Sequence, residues 1–450
     1  MIQAVNKNKI EITAVFIGMV LGVLGFMLPI TSFIKVAGGL AVAVCILWKV
    51  EIGVFLVVVL TPFLQTMQLV GLIILSLFSF IIKLLLNKNY TLKNTPLDLP
   101  MVLFGGMIVY SSITSFAPRS SVFIALVYVS FLLFYMIFVN TIKNSAQLNA
   151  LIVLFVFAGF IVGLYGIYQY YAGGPTTQSW IDKEMFKNIK ARVYSSFDNP
   201  NVLGEYLVLL IPISIALMWA KKGWFYRLIF GGIAIIMGVC LIFTYSRGSW
   251  LGLMLALGIF AVLRDKRLVT LGIVGALMLP FALPATIINR FTSIGNLKDS
   301  SSAYRLSVWL GSLKIVKDYW PSGIGLGSDA FIKIYPRYAL SGAAFALHAH
   351  NIYIQLLVET GIVGFISFLL LLFMFYKSIL SSYWRTKDQF LSTIMIALCA
   401  GLAGYLFQGL VDNIWYNYRV MLTFWIVISL GMTAHKLAVN SSQFTVHDLQ

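Results

Sequence analysis

Charged residues are scarce in this sequence. Only 10% of its 450 residues are charged, and just 15 of these are acidic. A soluble domain carries roughly 25% charged residues, which it needs to cover a water-facing surface. Hydrophobic residues make up 60% of the chain, and apolar runs repeatedly reach the roughly 20 residues that cross a hydrocarbon core as a helix. The composition excludes a soluble or fibrous protein and predicts an integral membrane protein.

The sequence has only three cysteines and no nucleotide-binding motif. Cys45, Cys240 and Cys399 each lie inside an apolar run, and this spacing indicates neither a disulfide framework nor a metal cluster. No phosphate-binding glycine loop followed by lysine occurs, so nothing points to ATP hydrolysis. The first apolar segment lacks a following small-residue cleavage site, so we expect it to be a retained helix. We expect neither a cofactor nor a metal.

The apolar runs predict an all-α, polytopic transmembrane helix bundle of about 14 spans. They cover approximately residues 11–30, 34–49, 51–67, 69–87, 98–116, 121–141, 148–171, 201–220, 228–245, 249–263, 268–287, 350–376, 390–411 and 418–436. The first 87 residues also suit two longer helices in place of four, which makes about 12 spans the alternative.

Polar segments divide the predicted bundle into parts. The divisions are N-terminal helices over 1–172, a first loop over 173–200, central helices over 201–287, a large loop over 288–347, and C-terminal helices with a short tail over 348–450. In the large loop, apolar residues from Leu306 to Val316 recur at helical spacing. This pattern predicts an amphipathic helix at the membrane interface.

The net charge of +17 invites a nucleic-acid interpretation, but basic residues in polytopic proteins usually act as topology signals. With a cytoplasmic N-terminus, alternating spans place every short basic cluster on the cytoplasmic side, among them 83–93, 221–227, 264–267 and 377–387. Both termini are then cytoplasmic, and the two loops 173–200 and 288–347 are extracytoplasmic. We expect membrane lipids as partners and no nucleic acid.

The predicted extracytoplasmic side nevertheless carries many basic residues. They are Arg192, Arg247, Arg290, Lys298, Arg305, Lys314, Lys317, Lys333 and Arg337. A basic cavity would suit a diphosphate-bearing lipid, because guanidinium groups bind phosphate oxygens through paired hydrogen bonds. Alternatively, these residues contact lipid headgroups. Arg247 stands out because it lies in a very short turn between two spans, where an ionisable group is a functional candidate.

Two histidines, His348 and His350, lie where the large loop meets the next apolar run. A His-x-His pair can bind a metal, but no suitable third ligand lies nearby in sequence. Two interpretations of His350 stay open, a structural residue at a helix start and a general base near neutral pH. Glu205 and Asp412, both near helix ends, are candidates for a proton relay or for pairing with a neighbouring base.

Four sequence patches carry a family resemblance. They are residues 197–204 (Phe-Asp-Asn-Pro-Asn-Val-Leu-Gly), 246–251 (Ser-Arg-Gly-Ser-Trp-Leu), 305–325 (Arg305 through Trp309 to Pro-x-Gly-x-Gly), and His350-Asn351 followed by Gly361-x-x-Gly364. In this order and topology they resemble the O-antigen ligase and O-antigen polymerase superfamily of membrane glycosyltransferases.

The resemblance implies a GT-C-like, metal-independent enzyme in the bacterial inner (plasma) membrane, with its active site on the extracytoplasmic side. The implied donor is a polyprenyl-diphosphate-linked glycan, and the implied acceptor is a hydroxyl of a glycan or glycolipid. Carried over to this chain, Arg247 and Arg305 bind the diphosphate and His350 is the catalytic base.

We expect three further substrate-binding residues. Asn201 and Asn351 lie within the matching patches, and Arg192 is one of the basic residues on the extracytoplasmic side. The resemblance does not separate ligases from polymerases, or from relatives that glycosylate protein hydroxyls. The alternative from another class is a transporter or flippase of anionic lipid-linked saccharides. That protein would share the basic cavity but would not need a large loop ending in His-Asn, and no inverted repeat is evident in the hydropathy.

Overall fold

The computed structural model describes residues 25–87, 91–173, 191–282, 284–295 and 300–447, together with Gly18, Met19 and Gly22. Most of the expected first span, 11–30, lies outside these residues, as do most of the loop 173–200 and Lys298. Throughout the described residues the regular structure is helical and contains no strand. The predicted all-α, polytopic class is confirmed.

The helices follow one another as the apolar runs predict. They are α1 (Ile30–Trp48), α2 (Val50–Leu60), α3 (Thr66–Leu86), α4 (Asp98–Ile113), α5 (Pro118–Thr141), α6 (Ser145–Ala172), α7 (Pro200–Ala220), α8 (Trp224–Phe243), α9 (Arg247–Arg264), α10 (Lys266–Ala282), α11 (Ala285–Thr292), α12 (Ser300–Tyr319), α13 (Ser328–Ile334), α14 (Ile352–Arg385), α15 (Gln389–Gln408) and α16 (Tyr418–His447). Within the described ranges, ten of them are long and apolar enough to cross a membrane, and α2 and α4 are shorter apolar helices.

The centre of the bundle consists of α7, α15 and α16, along which 83% of the spanning residues are buried. Helix α9 packs closely against α15 because glycines face each other at the crossing. A Cβ atom on Gly252 would lie only 2.6 Å from the carbonyl oxygen of Gly404. Small residues of this kind allow two helix backbones to approach in a membrane. The packing brings the first turn of α9 beside the last turn of α15.

Helix α14 is broken at Gly361, whose backbone has φ +65° and ψ −171°. The chain segment 320–327 fills the break. Ile324 donates its N–H to the carbonyl of Val358 at 2.8 Å, and Ile362 donates to the carbonyl of Trp320 at 2.8 Å. Backbone groups at membrane depth must be satisfied within the protein. The hydrogen bonds across the break therefore connect this part of the large loop to the bundle.

The predicted helix in the large loop is present as α12, but its apolar residues are divided between two sides. Val308 and Ile315 are buried in a cluster with residues of the following segment, whereas Leu306, Leu310 and Leu313 are exposed. Helix α12 thus packs on the protein through its valine and isoleucine side and leaves the leucines outward. This arrangement holds the first turns of α12 over one end of the bundle.

Candidate active site

A cavity of about 730 Å³ lies at one end of the bundle. The beginnings of α7, α9 and α12, the loop before α14 and the segment after α15 line it. Helices α7, α9 and α14 run from this cavity to the basic segments 221–222, 264–267 and 385–387 at their other ends. The cavity and the short basic turns are therefore at opposite ends of these helices.

Five of the six predicted site residues line this cavity although they are far apart in sequence. They are Arg192, Asn201, Arg247, Arg305 and His350. The sixth, Asn351, caps α14 by accepting hydrogen bonds from the N–H groups of Tyr353 and Ile354, and its amide donates to the carbonyl of Leu410 at 2.8 Å. A substrate-binding role for Asn351 stays a prediction.

The Asn-Pro-Asn motif explains how Asn201 reaches the cavity. The side chain of Asn199 accepts the N–H of Asn201 at 2.8 Å and caps α7, and Pro200 occupies the first helical position, where no N–H is needed. The side chain of Asn201 is then free to bridge two charged groups. It accepts from Arg192 Nη2 at 2.7 Å and donates to Asp412 Oδ2 at 3.0 Å.

Asp412 is the residue where these interactions meet. Its Oδ1 lies 3.5 Å from His350 Nδ1, and its Oδ2 lies 3.8 Å from Arg305 Nη2. Burial raises the pKa of the Asp412 carboxyl, but the hydrogen bond with His350 and the charge of Arg305 lower it by more. The net effect is a pKa well below its usual range, so Asp412 is a carboxylate at neutral pH.

His350 has a left-handed backbone, with φ +49°. Non-glycine residues in this region cost roughly 1–3 kcal/mol and persist where the surroundings fix them. Trp309 Nε1 donates to the His350 carbonyl at 3.1 Å, and the His350 N–H donates to His348 Nδ1 at 3.2 Å. Because Nδ1 faces Asp412, the ring's Nε2 is left without a partner among the described residues and can face a substrate.

His348 supports this arrangement as a neutral ring. Its side chain lies between those of His350 and Tyr416, with ring centroids 4.1 and 4.5 Å away. Burial, followed by the neighbouring His350, lowers the pKa of His348 to about 3. At neutral pH His348 is therefore uncharged, and its Nδ1 can accept the His350 N–H.

Four arginines, Arg192, Arg247, Arg290 and Arg305, face two carboxyl side chains, Glu205 and Asp412, in the cavity wall. Arg247 Nη1 is oriented by the turn after α11, because it donates to the carbonyl and the hydroxyl of Ser293 at 3.2 and 3.0 Å. The described wall therefore has an excess of positive charge.

The positive charges of the other cavity arginines act on Arg192. Burial, followed by the charges of Arg290, Arg305 and Arg247, lowers the pKa of the Arg192 guanidinium to about 9. The group still carries its charge at neutral pH. A bound anion would relieve the repulsion among these arginines, so the cavity can bind an anionic ligand.

Sequence reasoning did not assign Arg290, Asp412, Tyr304 or Tyr416 to the site, yet all four line the cavity. Arg290 was one of many basic residues on its predicted side, and nothing in its spacing separates it from them. The sequence did mark Asp412 as a functional candidate, because it is an ionisable group between two apolar runs. Among the described residues, no group of three or more His, Cys, Asp or Glu side chains could hold a metal ion.

The fold and the cavity define a polytopic membrane protein with an arginine-lined site and a histidine–carboxylate pair. Residues 232–369 match the family model described as O-antigen ligase, which confirms the predicted resemblance to the O-antigen ligase and polymerase superfamily. The matched segment includes Arg247, Arg305 and His350, whereas Asp412 lies beyond it. The match supports a glycan-transferring enzyme of surface polysaccharide assembly. Among curated proteins, none matches the chain.

Proposed function

We propose that this protein transfers glycan from a polyprenyl-diphosphate carrier to a hydroxyl acceptor. One observation carries the proposal: four arginines and the His350–Asp412 pair line the same cavity at the end of a membrane bundle. The arginines suit the diphosphate of the donor, and the imidazole suits proton transfer. The carrier's lipid tail accounts for placing such a site in a membrane protein.

The diphosphate is assigned to Arg247 and Arg305, which lie on different elements and approach the cavity from two sides. Hydrogen bonds to charged groups contribute roughly 1.5–3 kcal/mol each. They favour the transition state most where negative charge is growing, which here is the departing diphosphate. Arg192 and Asn201 support the same wall by holding Asp412 in place.

The chemical step is a displacement at the anomeric carbon of the donor sugar. The acceptor oxygen forms a bond to that carbon while the bond from carbon to the diphosphate oxygen breaks, and the bonding electron pair leaves with the diphosphate. The acceptor proton passes to Nε2 of His350, and attack opposite the leaving group inverts the anomeric configuration. Asp412 accepts from Nδ1, holds the ring with Nε2 toward the cavity and stabilises the imidazolium that forms.

The topology of the chain supports an extracytoplasmic site. The cavity lies at the helix ends opposite the short basic turns, and such turns are typically cytoplasmic. We therefore propose that the cavity opens outward. The family resemblance adds the bacterial inner membrane and a GT-C-like arrangement to this proposal. Metal independence is part of the proposal. A ligase, a polymerase and a protein glycosyltransferase would share this site.

The proposal is tested with the purified full-length protein in lipid nanodiscs. The donor is polyprenyl-diphosphate-linked glycan extracted from the cells that make the protein, offered with a second glycan chain, a glycolipid or a serine-containing peptide. We expect a glycosylated acceptor and free polyprenyl diphosphate in equal amounts, also with chelator present. Movement of the donor across a proteoliposome bilayer, with no release of lipid diphosphate, would instead support a transporter.

A further inference from the structure

Two buried acceptor groups in the cavity wall have no role in the reaction described above. Glu205 is on the second turn of α7, and Gln408 is the last residue of α15. Each side chain is only 1% exposed, and both residues line the cavity. Within the described part of the chain, Glu205 Oε2 and Gln408 Oε1 have no hydrogen-bond partner.

Buried polar groups without a hydrogen-bond partner lower the stability of the folded protein. A buried polar atom left unpaired destabilises a protein by roughly 1–3 kcal/mol, and a charged one by more. Native structures keep few of them, and each calls for a physical reason. Two on facing helices at one cavity indicate that a ligand supplies the missing donors.

The chemistry of the two groups selects the ligand. The oxygens of a diphosphate only accept hydrogen bonds at neutral pH, so they cannot donate to the amide oxygen of Gln408 or to an accepting oxygen of the Glu205 carboxyl. Saccharide hydroxyls donate. Gln408 lies beside Gly248, the residue that follows Arg247, because a Cβ atom on Gly248 would be 3.4 Å from Gln408 Cγ. Glu205 follows Asn201 by one turn of α7. The acceptors therefore adjoin the arginine wall.

We propose that Glu205 and Gln408 form a saccharide subsite that accepts hydrogen bonds from hydroxyls of the donor sugar next to the diphosphate. This inference rests on the proposed function and assigns different parts of the donor to different residues. The arginines hold the diphosphate whichever sugar it carries, and the two acceptors recognise the sugar. They are specificity-determining residues of the donor site.

The test compares two probes on the purified full-length protein, undecaprenyl diphosphate and the glycan-bearing donor from native membranes. Wild type should bind the glycan-bearing lipid more tightly. In Glu205→Leu and Gln408→Ala, each of which removes an acceptor, this preference should fall by roughly ten- to a hundredfold, while affinity for undecaprenyl diphosphate stays unchanged. Gln389→Ala, an exposed change at the other end of α15, is the matched control and should keep the preference.

Each alternative outcome is distinguishable. If wild type shows no preference for the glycan-bearing lipid, or the variants keep it, the subsite is wrong. Equal losses for both lipids would also overturn it, because they would place the residues at the diphosphate. A wild-type protein that binds neither lipid would contradict the proposed function as a whole.

Thermal stability separates a ligand-binding carboxyl from a structural one. Glu205→Leu removes the unpaired carboxyl and retains an apolar side chain of similar size, so the unliganded variant should melt at a higher temperature than wild type. It should also lose the glycan preference. A lower melting temperature together with an unchanged preference would show that Glu205 stabilises the fold, and would overturn its place in the subsite.

Discussion

His350 Nδ1 lies 3.5 Å from Asp412 Oδ1, which links the beginning of α14 to the segment between α15 and α16. The second carboxylate oxygen of Asp412 accepts from Asn201 and lies 3.8 Å from Arg305. A single carboxylate thus contacts both the proposed base and the arginine wall. The position of the imidazole and the position of the cations are therefore coupled through Asp412.

We predict that His350→Ala lowers turnover by about 10²–10⁴-fold, the usual contribution of a general base. Affinity for the lipid-diphosphate donor should survive, because the arginines are untouched. Single-turnover rates and donor binding, both measured on purified protein with confirmed folding, check this prediction.

Two further histidines provide the controls for that prediction. His348→Ala should cost much less than His350→Ala, because its proposed part is to accept the His350 N–H. His435→Ala should leave turnover unchanged, because that ring lies on α16 and contacts Ser382 near the far end of α14. Normal turnover in His350→Ala would restore the structural interpretation of this histidine.

Asp412→Asn should lower turnover and change the pH dependence of stability. The pKa of Asp412 is depressed in the folded protein, so its stabilisation is fully present above the unfolded value of about 3.9 and is lost gradually as pH falls from that value toward the lower folded pKa. The difference in melting temperature between wild type and variant should be largest near neutral pH and should narrow as pH falls below about 4. Melting curves from pH 3 to pH 7 measure this. A constant difference across that range would remove the proposed ionic role.

Much of the fold could be predicted because hydropathy and basic clusters report directly on membrane spans. The runs between 34 and 436 all correspond to helices. The break at Gly361 could not be predicted in this way, because hydropathy treats residues 350–376 as one span even though Glu359 and Thr360 directly precede this glycine. It exists because residues 320–327 pair with the opened backbone, a long-range contact that no local pattern encodes.

The site was predictable where a motif or an unusual position marked a residue, as for Arg247, Arg305 and His350. It was not predictable where function depends on contacts across the bundle. Asp412 is 62 residues from His350, and only packing shows that the two side chains meet. The unpaired oxygens of Glu205 and Gln408 are likewise visible only once their surroundings are known.

The arginine wall is tested by Arg247→Lys and Arg305→Lys, which keep the positive charge. Each should weaken donor binding and turnover by roughly tenfold or more, because an ammonium cannot reproduce the paired hydrogen bonds of a guanidinium. Arg337→Lys is the matched control, since Arg337 is exposed and does not line the cavity. Full activity in both cavity variants would contradict the diphosphate assignment.

The predicted topology is tested by cysteine labelling in intact cells. The background replaces Cys45, Cys240 and Cys399 by alanine. A membrane-impermeant maleimide should modify a single cysteine at Ser341 and spare one at Lys387, because both positions are exposed and the basic segment around Lys387 is predicted to be cytoplasmic. Labelling at Lys387 alone would place the cavity on the cytoplasmic side and remove the proposed acceptors.

Gly361→Ala should reduce the yield of folded protein severely. The backbone at φ +65° and ψ −171° is accessible essentially to glycine alone, and an added Cβ would lie 2.6 Å from the carbonyl oxygen of Pro321. The substitution must therefore expel the segment that fills the break in α14 and disturb the loop that leads to the site. Gly106→Ala on α4 is the control, because a Cβ there meets no atom within 4 Å and alanine favours a helix. Fluorescence-detected size exclusion and melting temperature measure both variants. Equal yield and stability for the two would show that the break does not depend on glycine.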